Sequence, residues 1–493
     1  MDRIRKIALV EPGAPGYHVY SRISLPRLGL PLLAAILKRE GREARVFCQD
    51  IRGIDYDELF SADLVGISTI TPTAPEAYRI AARLRRRGIP TVIGGSHVSF
   101  VPEEALQHAD YCIRGEGEQS LPMLLHALES GGNLSAVPGL SYKVGDEFRH
   151  NPLAPLICDL DSLPFPDLDA IAGREKVRIY PLLGSRGCPF NCNFCCVTRM
   201  FGRQYRFRSV ESIVDELRHV RPQQVFFYDD NFVARPSHTK ELLARMLSEG
   251  ITPPWSAQAR VDVARDRELL RMMKASNCFM LYMGLESVNP ETLKEYDKRQ
   301  SVEEITEAVR LLHEHGIMVH GMFVFGSDQD DAKTLQDTVR FALKHDVDTV
   351  QFMMLTPLPG TPVHEKLKVE NRLLTADWAL YDGQHVVFDP NKMSAYELQK
   401  ETFRAMQRFY RLTECVKMLV SVDFAAFLAK FGANLMIGRW RSARRHFSSR
   451  LKRWFYRAYG HFLIRKWLAA NKEFIANVKA LAARARGAAG GGA

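Results

Sequence analysis

Short apolar runs alternate with helical patterns along the first 135 residues of the chain. Each run is followed by a loop containing Gly or Pro, or by a helical pattern. This alternation predicts an α/β fold class with a doubly wound parallel sheet, whose ligands bind at the carboxyl ends of the strands. The predicted strands are 7–10, 45–47, 64–68, 91–93 and 111–113, and the predicted helices are 30–40, 75–87 and 115–125.

The same alternation resumes at larger spacing over residues 179–390, and it predicts a partial barrel of six β/α repeats. Residues 136–178 between the two domains are predicted to form a linker with a small hairpin. Residues 391–493 are predicted to be a helical basic C-terminal region with a disordered end. The predicted barrel strands are 179–183, 224–228, 255–258, 279–284, 318–325 and 349–355, and helices are predicted at 209–218, 239–248, 301–315 and 331–344.

The net charge of +10 comes from the end of the chain. Residues 431–493 contain fourteen Lys and Arg and one acidic residue, Glu473, so they carry +13 and residues 1–430 sum to −3. The positive net charge of the chain therefore says little about what residues 1–430 bind. No stretch approaches the roughly 18 uncharged apolar residues that cross a bilayer, and the first apolar run is too short for a signal peptide. We therefore expect a cytoplasmic protein.

Four of the nine cysteines lie in GSRGCPFNCNFCC (184–196), directly after the first predicted barrel strand. Cys188, Cys192 and Cys195 have C-x₃-C-x₂-C spacing on a loop that can wrap thiolates around one centre. If that centre is a cluster of four irons, three cysteine ligands leave one iron open to a chelating small molecule. A zinc site is the alternative, but no second ligand pair appears at zinc spacing. Cys196 follows the third cysteine directly, and we interpret it as a packed thiol.

This motif resembles that of the radical S-adenosylmethionine (SAM) superfamily, and the resemblance covers most of residues 180–390. It implies a 4Fe–4S cluster on Cys188, Cys192 and Cys195 that cleaves SAM reductively, with Phe194 beside the last ligand. Asp229 and Asp230, in FFYDDNF after the second barrel strand, resemble an acidic motif that faces SAM in the family. A helix N-cap is the alternative role for this pair.

Three further positions resemble SAM contacts of the family. Glu286, in GLES after the fourth strand, resembles the contact to the methionine or ribose moiety. Its charge needs a partner, and Arg260, itself a candidate contact, is the alternative to the cofactor. Gly326, in HGMFVFGSDQD, resembles the glycine motif near adenine. The glycine–glycine–glutamate motif of the family is missing from its most common place, which weakens the individual contact assignments.

Residues 1–135 resemble the cobalamin-binding domain of the class B methylases and of the anaerobic magnesium-protoporphyrin cyclase. The matching segments are GISTITPT (66–73), IGGSHVS (93–99) and RGEGE (114–118). Glycines there let the backbone approach a large flat ligand. The resemblance implies cobalamin as a third cofactor, with candidate contacts at Gly94, Gly95, His97, Gly115 and Glu116.

Alternatives to cobalamin binding remain open from the residues themselves. Flavin and nucleotide domains share glycines after their strands, and some members of the group have kept the domain without its cofactor. The D-x-H-x-x-G motif that gives a histidine to cobalt is absent, and many radical members lack it too. For His97, a hydrogen-bonded loop histidine is the alternative.

The C-terminal region mixes aromatic residues and arginines at helical spacing, among them Trp440, Trp454, Phe455 and Trp467. A basic helix of this kind can lie on anionic lipid, which would place the protein at the inner face of the membrane. A helical pair packed on the body is the alternative. RNA binding ranks third, because no RNA-binding domain is recognisable.

The resemblance implies a cobalamin-dependent methyltransferase, in which a 5′-deoxyadenosyl radical abstracts hydrogen and methylcobalamin donates a methyl group. We predict a hydrophobic small-molecule substrate such as a lipid or isoprenoid, and a reducing partner such as flavodoxin or ferredoxin. A radical cyclase or oxidative bond-forming enzyme of the protoporphyrin-cyclase type shares every motif. A non-catalytic cobalamin or redox sensor is a further alternative, against which the intact cysteines argue.

Overall fold

The computed structural model describes residues 3–16, 25–411, 413 and 440–490, and in the last of these ranges it describes side chains for 454–483. The chain forms two compact units. The first contains Met1–Gln258 and Thr356–Val387, and the second contains Ala259–Leu355 and Phe388–Ala493. The side chain of Trp440, one of the predicted lipid-facing aromatics, lies outside the described part.

The first compact unit begins with a seven-stranded sheet. Its strands are β1 (Lys6–Glu11), β2 (Glu43–Cys48), β3 (Leu64–Ser68), β4 (Thr91–Gly94), β5 (Tyr111–Ile113), β6 (Leu140–Val144) and β7 (Glu147–His150). They lie in the order β2-β1-β3-β4-β5-β6-β7, with β1 to β5 parallel. The strand order reverses beside β1, and such a switch point is where open α/β sheets bind ligands.

Helices alternate with these strands, as the sequence pattern predicts. They are α1 (Gly29–Arg39), α2 (Gln49–Arg52), α3 (Tyr56–Phe60), α4 (Ala74–Arg85), α5 (Ser96–Phe100), α6 (Pro102–Ala105) and α7 (Gly117–Ser130). The core lies between the sheet and α4, where Val10, Val65, Ile67, Ile80 and Ile93 are almost fully buried. Burial of such side chains contributes about 1.5–3 kcal/mol each.

The predicted hairpin is present as β6 and β7, but it does not lie in a separate linker. β6 pairs antiparallel with β5, with Tyr111 opposite Tyr142, so the hairpin extends the first sheet. The alternating pattern of a hairpin does not reveal which sheet edge it joins, because both of its edges offer free backbone groups.

The remainder of the first unit contains three parallel strands of a second sheet, with β11 in the middle. They are β8 (Tyr180–Leu182), β11 (Val225–Phe227) and β12 (Trp255–Ala259). The last residue of β12, Ala259, is assigned to the second unit. A two-stranded hairpin, β9 (Ser185–Arg186) with β10 (Arg206–Phe207), follows β8. The helices of this part are α8 (Val197–Phe201), α9 (Val210–Val220), α10 (Pro236–Ser248) and α15 (Pro362–Val369).

The second compact unit contains three further parallel strands, β13 (Cys278–Glu286), β14 (Met318–Phe325) and β15 (Thr349–Met354), with β14 in the middle. Ser301 and Asp331 cap two of its helices through capping boxes. The helices are α11 (Arg267–Ala275), α12 (Pro290–Glu295), α13 (Val302–Glu314), α14 (Ala332–Lys344), α16 (Ala395–Phe409), α17 (Trp440–Ala470) and α18 (Lys472–Gly490).

The C-terminal helices pack on the second unit along one face. Trp467 of α17 is 2% exposed and its ring meets Phe403 of α16 edge-on at 4.1 Å. The buried Arg457 donates to the carbonyl of Val347 at 2.6 Å, so a cation anchors the helix beside β15. The sequence predicts a disordered end, but α18 continues to Gly490. Its alanines and arginines are strong helix formers, which favours this longer helix.

These observations confirm the predicted fold class, a mixed α/β protein with a doubly wound sheet and a series of six β/α repeats. The predicted strands differ from the observed ones by at most two residues at either end. Among the described residues, no helix combines the length and apolarity that a bilayer crossing requires.

Candidate active site

The cysteine motif lies on a loop closed by the hairpin β9–β10, and we call residues 187–205 the cysteine loop. Cys188, Cys192 and Cys195 are half-buried on it, and the amide of Cys195 donates to the carbonyl of Cys192 at 3.1 Å. Gly187 has φ +86°, and a Cβ there would lie 2.7 Å from the carbonyl oxygen of Gln204. Glycine is therefore required for the loop to close beside the first cysteine.

The donor set of this loop, three cysteine thiols at positions 188, 192 and 195, fits an iron–sulfur cluster. Among the described residues, no three His, Cys, Asp or Glu side chains are grouped closely enough to hold one ion. In a four-iron cluster each cysteine binds a different iron, so its ligands are spread around the core. Burial raises the pKa of the Cys195 thiol to about 12 in the protein alone, whereas a coordinating metal deprotonates a thiol outright.

The neighbouring acids after β11 have different surroundings. Asp229 is 2% exposed, accepts from the amide of Gly184 at 3.1 Å and also from the hydroxyl of Ser185. Asp230 opens into a cavity, described below. Burial raises the pKa of Asp229 to about 6, and burial together with Asp229 raises the pKa of Asp230 to about 7.

The helix-cap alternative for these acids is wrong. The next helix, α10, begins at Pro236 and has Arg235 at its N-cap. Asp229 instead holds the strand end that leads into the cysteine loop, while Asp230 presents its carboxylate to the cavity.

Glu286 in the second unit is paired with a residue that the sequence analysis missed. Its carboxylate binds Nζ of Lys298, and both side chains are 8% exposed. Arg260, the predicted alternative partner, donates to the backbone carbonyl of Lys298 instead. Glu286 has φ +60°, a left-handed conformation that is uncommon for a non-glycine residue and typical of functional sites.

Gly326 lies at the end of β14 with φ +108°. Its amide donates to Asp330 Oδ2 at 2.9 Å, and a Cβ would lie 2.9 Å from side-chain atoms of Leu398 and Phe388. The absence of a side chain at residue 326 therefore allows Leu398 and Phe388 to pack directly against this turn.

A cavity of about 410 Å³ lies at the carboxyl ends of β1, β3, β4 and β5, and we call it the first-sheet cavity. Gly94, Gly95 and Gly115, three predicted cofactor contacts, line it. Gly95 has φ +105°, and a Cβ there would lie 2.3 Å from the carbonyl oxygen of Thr69. The volume is within the range of cofactor sites, and the glycine-lined wall fits a flat ligand that approaches the backbone.

The opposite wall of the first-sheet cavity comes from the cysteine loop and from β11. Cys196, Val197 and Met200 line it from the end of the loop, and Tyr228 and Asp230 line it from the segment after β11. Cys196 is the N-cap of α8 and lines the cavity, whereas the cavity lining does not include Cys188, Cys192 or Cys195. One cavity therefore adjoins both the first sheet and the cysteine loop.

His97 is buried, and its surroundings are those of a packed histidine. Its Nδ1 lies 3.3 Å from the hydroxyl of Thr71 and its Nε2 lies 3.7 Å from Glu104. Its ring meets Trp378 edge-on at 5.1 Å, and Trp378 Nε1 donates to Glu104 at 2.9 Å. The first-sheet cavity is lined by the preceding Ser96.

Glu116 contacts arginines of the hairpin that closes the cysteine loop. Its Oε1 accepts from Arg186 at 2.9 Å and from Arg206 at 2.8 Å. The sequence does not predict the contact of either arginine with Glu116, because a single Arg before or after a cysteine motif has no distinguishing spacing. Phe194, the remaining candidate, lies half-buried in the cysteine loop between Asn193 and Cys195.

Comparison with known proteins adds two domain families. Residues 182–342 match the radical SAM superfamily, and residues 21–125 match the B12 binding domain. An uncharacterized methyltransferase of Pyrococcus horikoshii is 30% identical over 83% of this chain and 93% of its own length. The hopanoid C-3 methylase of Methylococcus capsulatus is 29% identical, over 82% of this chain and 80% of its own.

Two further similarities bear on the reaction and the fold. The anaerobic magnesium-protoporphyrin IX monomethyl ester cyclase of Cereibacter sphaeroides is 31% identical over 71% of this chain, which spans 60% of that protein. The solved structure of the cobalamin-dependent SAM radical enzyme OxsB, with aqua-cobalamin and SAM bound, superposes with a TM-score of 0.68 at 16% identity. It covers 97% of this chain and 80% of that one.

Proposed function

Because this chain belongs to the cobalamin-binding radical SAM enzymes, we propose that it transfers a methyl group to an unactivated carbon of a hydrophobic, lipid-like substrate. The observation that carries the proposal is the first-sheet cavity, which is bounded by glycines after the strands on one side and by the cysteine loop on the other. A methyl donor and a radical source have to meet at one substrate, and a cavity bounded in this way supports the proposal.

In this proposal each candidate residue has a defined role. Cys188, Cys192 and Cys195 hold the cluster, with Phe194 packed beside them. Bound cofactors supply the chemistry, the cluster by giving an electron that cleaves SAM and cobalamin by carrying the methyl group. The candidate SAM contacts are Asp229, Asp230, Arg260, Glu286 and Gly326. The candidate cobalamin contacts are Gly94, Gly95, Gly115 and Glu116, while His97 packs behind the cavity-lining Ser96.

The contribution of the chain itself is to orient the reactants and exclude water. Leu9, Ile67 and Ile113 line the first-sheet cavity with apolar side chains, which can pack against a flat ring and offer water no hydrogen-bonding partner. Gly94 and Gly95 allow a flat ring to lie against the backbone. Asp230 is the acidic group at the opposite wall, where it can bind the ammonium or hydroxyl groups of a cofactor.

The proposed substrate class follows from the relatives and from the chain. One relative is the hopanoid C-3 methylase of Methylococcus capsulatus, and hopanoids are lipids. The walls of the first-sheet cavity are mainly apolar, which suits a hydrophobic substrate. A reducing partner such as flavodoxin or ferredoxin is part of the proposal, because cleavage of SAM consumes an electron.

The proposal is tested by anaerobic reconstitution with iron, sulfide and cobalamin, followed by assays of 5′-deoxyadenosine release and of retained corrinoid. We expect release from the wild type and none from the Cys188→Ala/Cys192→Ala/Cys195→Ala variant. Cys158→Ala, which removes an exposed cysteine outside the loop, should match the wild type. Release without retained corrinoid would contradict the methyltransfer proposal, and failure to assemble a cluster would contradict the whole of it.

Product mass separates the proposal from its main competitor. A methyltransferase adds one methylene unit to a lipid or isoprenoid substrate, whereas a cyclase of the protoporphyrin type removes hydrogen. A panel of polycyclic and linear isoprenoids, analysed by mass spectrometry after a single turnover, distinguishes the two reactions.

We further propose that α17 holds the enzyme at an anionic membrane surface. Phe455, Tyr459 and Phe462 lie on one face of this helix and are 60%, 49% and 63% exposed. Arg465 and Lys466 are exposed one turn later. Aromatic side chains beside cations suit the interface of an anionic bilayer, where each Lys or Arg contributes about 1 kcal/mol.

Flotation with vesicles tests this surface. Wild-type protein should float with phosphatidylglycerol-containing vesicles and less with phosphatidylcholine alone, and Phe455→Ser/Tyr459→Ser/Phe462→Ser should not float. The matched control Val144→Ser/Leu153→Ser/Val369→Ser removes equally exposed apolar side chains from the first unit and should float as the wild type does. Equal flotation of the aromatic variant and the wild type would reject the membrane proposal.

A further inference from the structure

Two arginines face each other across the base of the cysteine loop. Arg186 on β9 is directly opposite Arg206 on β10, and both are buried. Like charges opposite each other on antiparallel strands are destabilising, and a buried charge needs a partner. The hairpin has only two paired residues on each strand, so its own backbone ladder provides little closing force.

Two carboxylates from the first sheet's domain, Glu116 and Glu118, balance the charges of this pair. Glu116 lies between β5 and α7 and accepts four hydrogen bonds. They come from Arg186 at 2.9 Å, from the two terminal nitrogens of Arg206 at 2.8 and 3.1 Å, and from the amide of Ile157 at 2.9 Å. Glu118, two residues later, accepts from Arg186 at 2.6 Å.

The protonation state of Glu116 agrees with this role. Burial by itself would raise the pKa of this carboxyl, but the hydrogen bond from Arg206 and the charge of Arg186 outweigh burial and lower it. The carboxylate is therefore charged at neutral pH, and its oxygens are already engaged by protein donors.

We infer that Glu116 is a positioning residue for the cysteine loop: it fastens the base of the loop, through Arg186 and Arg206, to the domain that lines the first-sheet cavity. All three candidate cluster cysteines lie between the two fastened strands. Retention of the cluster therefore depends on a residue more than seventy positions before the first cysteine. The identity of the cluster rests on the proposed function, whereas the fastening itself does not.

Hydrogen exchange on the full-length apoprotein tests the fastening without any cofactor. In Glu116→Gln, a neutral side chain of the same shape leaves two buried arginines facing each other. We expect amide exchange within residues 187–208, including the Arg208 amide that donates to Gly184 at 2.8 Å, to accelerate about tenfold or more. Glu118→Gln loses one of these contacts, and we expect a smaller acceleration, about threefold, in the same segment.

Glu129→Gln is the matched control, because Glu129 forms a comparable ion pair with the buried Arg42 away from the loop. Its exchange in residues 187–208 should stay within about twofold of the wild type. After reconstitution, removal of iron by a chelator should be about tenfold faster in Glu116→Gln than in Glu129→Gln.

Unchanged exchange in the loop of both Glu116→Gln and Glu118→Gln would overturn the inference, and so would equal acceleration in Glu129→Gln. If Glu116→Gln does not fold, Glu118→Gln against Glu129→Gln decides. A wild-type protein that shows the fastening but no SAM cleavage would reject the proposed function and leave this inference intact.

Discussion

At the scale of single residues, Asp229 and Asp230 are neighbours in the chain with different surroundings. FFYDDNF marked Asp229 and Asp230 as a pair, yet one carboxylate is buried on Gly184 and Ser185 and the other opens into the first-sheet cavity. The direction of each side chain depends on the turn after β11. This turn is irregular, so the residue spacing that predicts the faces of strands and helices does not apply to it.

Glu286 shows the same limit for charge partners. A carboxylate at a strand end was correctly expected to need a partner, but Lys298 rather than Arg260 supplies it. Lys298 reaches Glu286 because Gly284, two residues earlier, leaves space: a Cβ there would lie 2.7 Å from Nζ. A separation of twelve residues through a helix and a turn does not predict such a contact.

His320 gives a prediction at this scale. Its half-buried ring bonds to the hydroxyl of Thr349 at 2.7 Å and packs on Tyr282, and burial lowers its pKa to about 4. The unfolded chain binds a proton near pH 6.5 and the folded chain does not, so stability falls as the pH decreases from about 6.5 to about 4.

Chemical unfolding at a series of pH values measures this effect. Relative to His320→Gln, the wild type should lose roughly 1–3 kcal/mol across that interval. The exposed His219→Gln variant should follow the wild-type curve. A His320→Gln curve parallel to the wild type would contradict the assignment.

At the scale of elements, the hydrophobic pattern was sufficient for nearly all strands and helices. Continuous apolar runs predict buried parallel strands, and Ser301 and Asp331 marked helix starts that the structure confirms. The sequence predicts the hairpin β6–β7 but places it in a linker. The pattern of a hairpin does not show which strand its edge pairs with, and here that strand is β5. The cysteine loop was placed correctly after its strand, whereas the two arginines that close it were not anticipated.

Gly95 gives the prediction for elements, because it forms the tight turn between β4 and α5. In Gly95→Ala the new methyl group would meet the carbonyl oxygen of Thr69, so the strand end or the turn has to move. We expect a loss of roughly 3 kcal/mol in the free energy of unfolding, together with loss of bound corrinoid.

The control for that substitution is Gly88→Ala. Gly88 also has positive φ, +69°, but nothing lies within 4 Å of its ideal Cβ. Only the backbone preference is lost there, at about 1–2 kcal/mol, and corrinoid absorption should be retained. Equal effects of the two substitutions on corrinoid binding would show that the turn at Gly95 does not shape the site.

At the scale of the whole molecule, the two compact units should respond differently to cobalamin. Consider a ligand that binds only the folded state and is present at a free concentration of about one hundred times its Kd. It slows amide exchange that requires unfolding about a hundredfold. Addition of hydroxocobalamin should therefore protect amides of β3, β4 and β5 to about that extent. Amides of residues 454–483, which belong to the second unit, should exchange at an unchanged rate, as measured by mass spectrometry. Uniform protection of both units, or none, would contradict this.

The sequence also predicted a basic helical C-terminal region, but not how its faces are divided. The sequence predicts a lipid-facing role for both Trp467 and Phe455, yet Trp467 is buried against Phe403 and Phe455 is exposed. Helical spacing alone assigns residues to faces, and only the packing of α16 against α17 decides which face the protein covers.

The first compact unit is assembled from two separated stretches of chain, and this affects how a new molecule is made. Trp378, which bonds to Glu104 at 2.9 Å, and Val363, whose amide donates to Asn193 of the cysteine loop at 3.4 Å, belong to the later stretch. A ribosome adding ~5–20 residues per second needs ~5–20 s for the roughly one hundred residues between the stretches. During that interval the cysteines have already been synthesised while the helix whose Val363 amide bonds to Asn193 has not, so the cysteine loop of a nascent chain lacks a contact that it has in the finished protein.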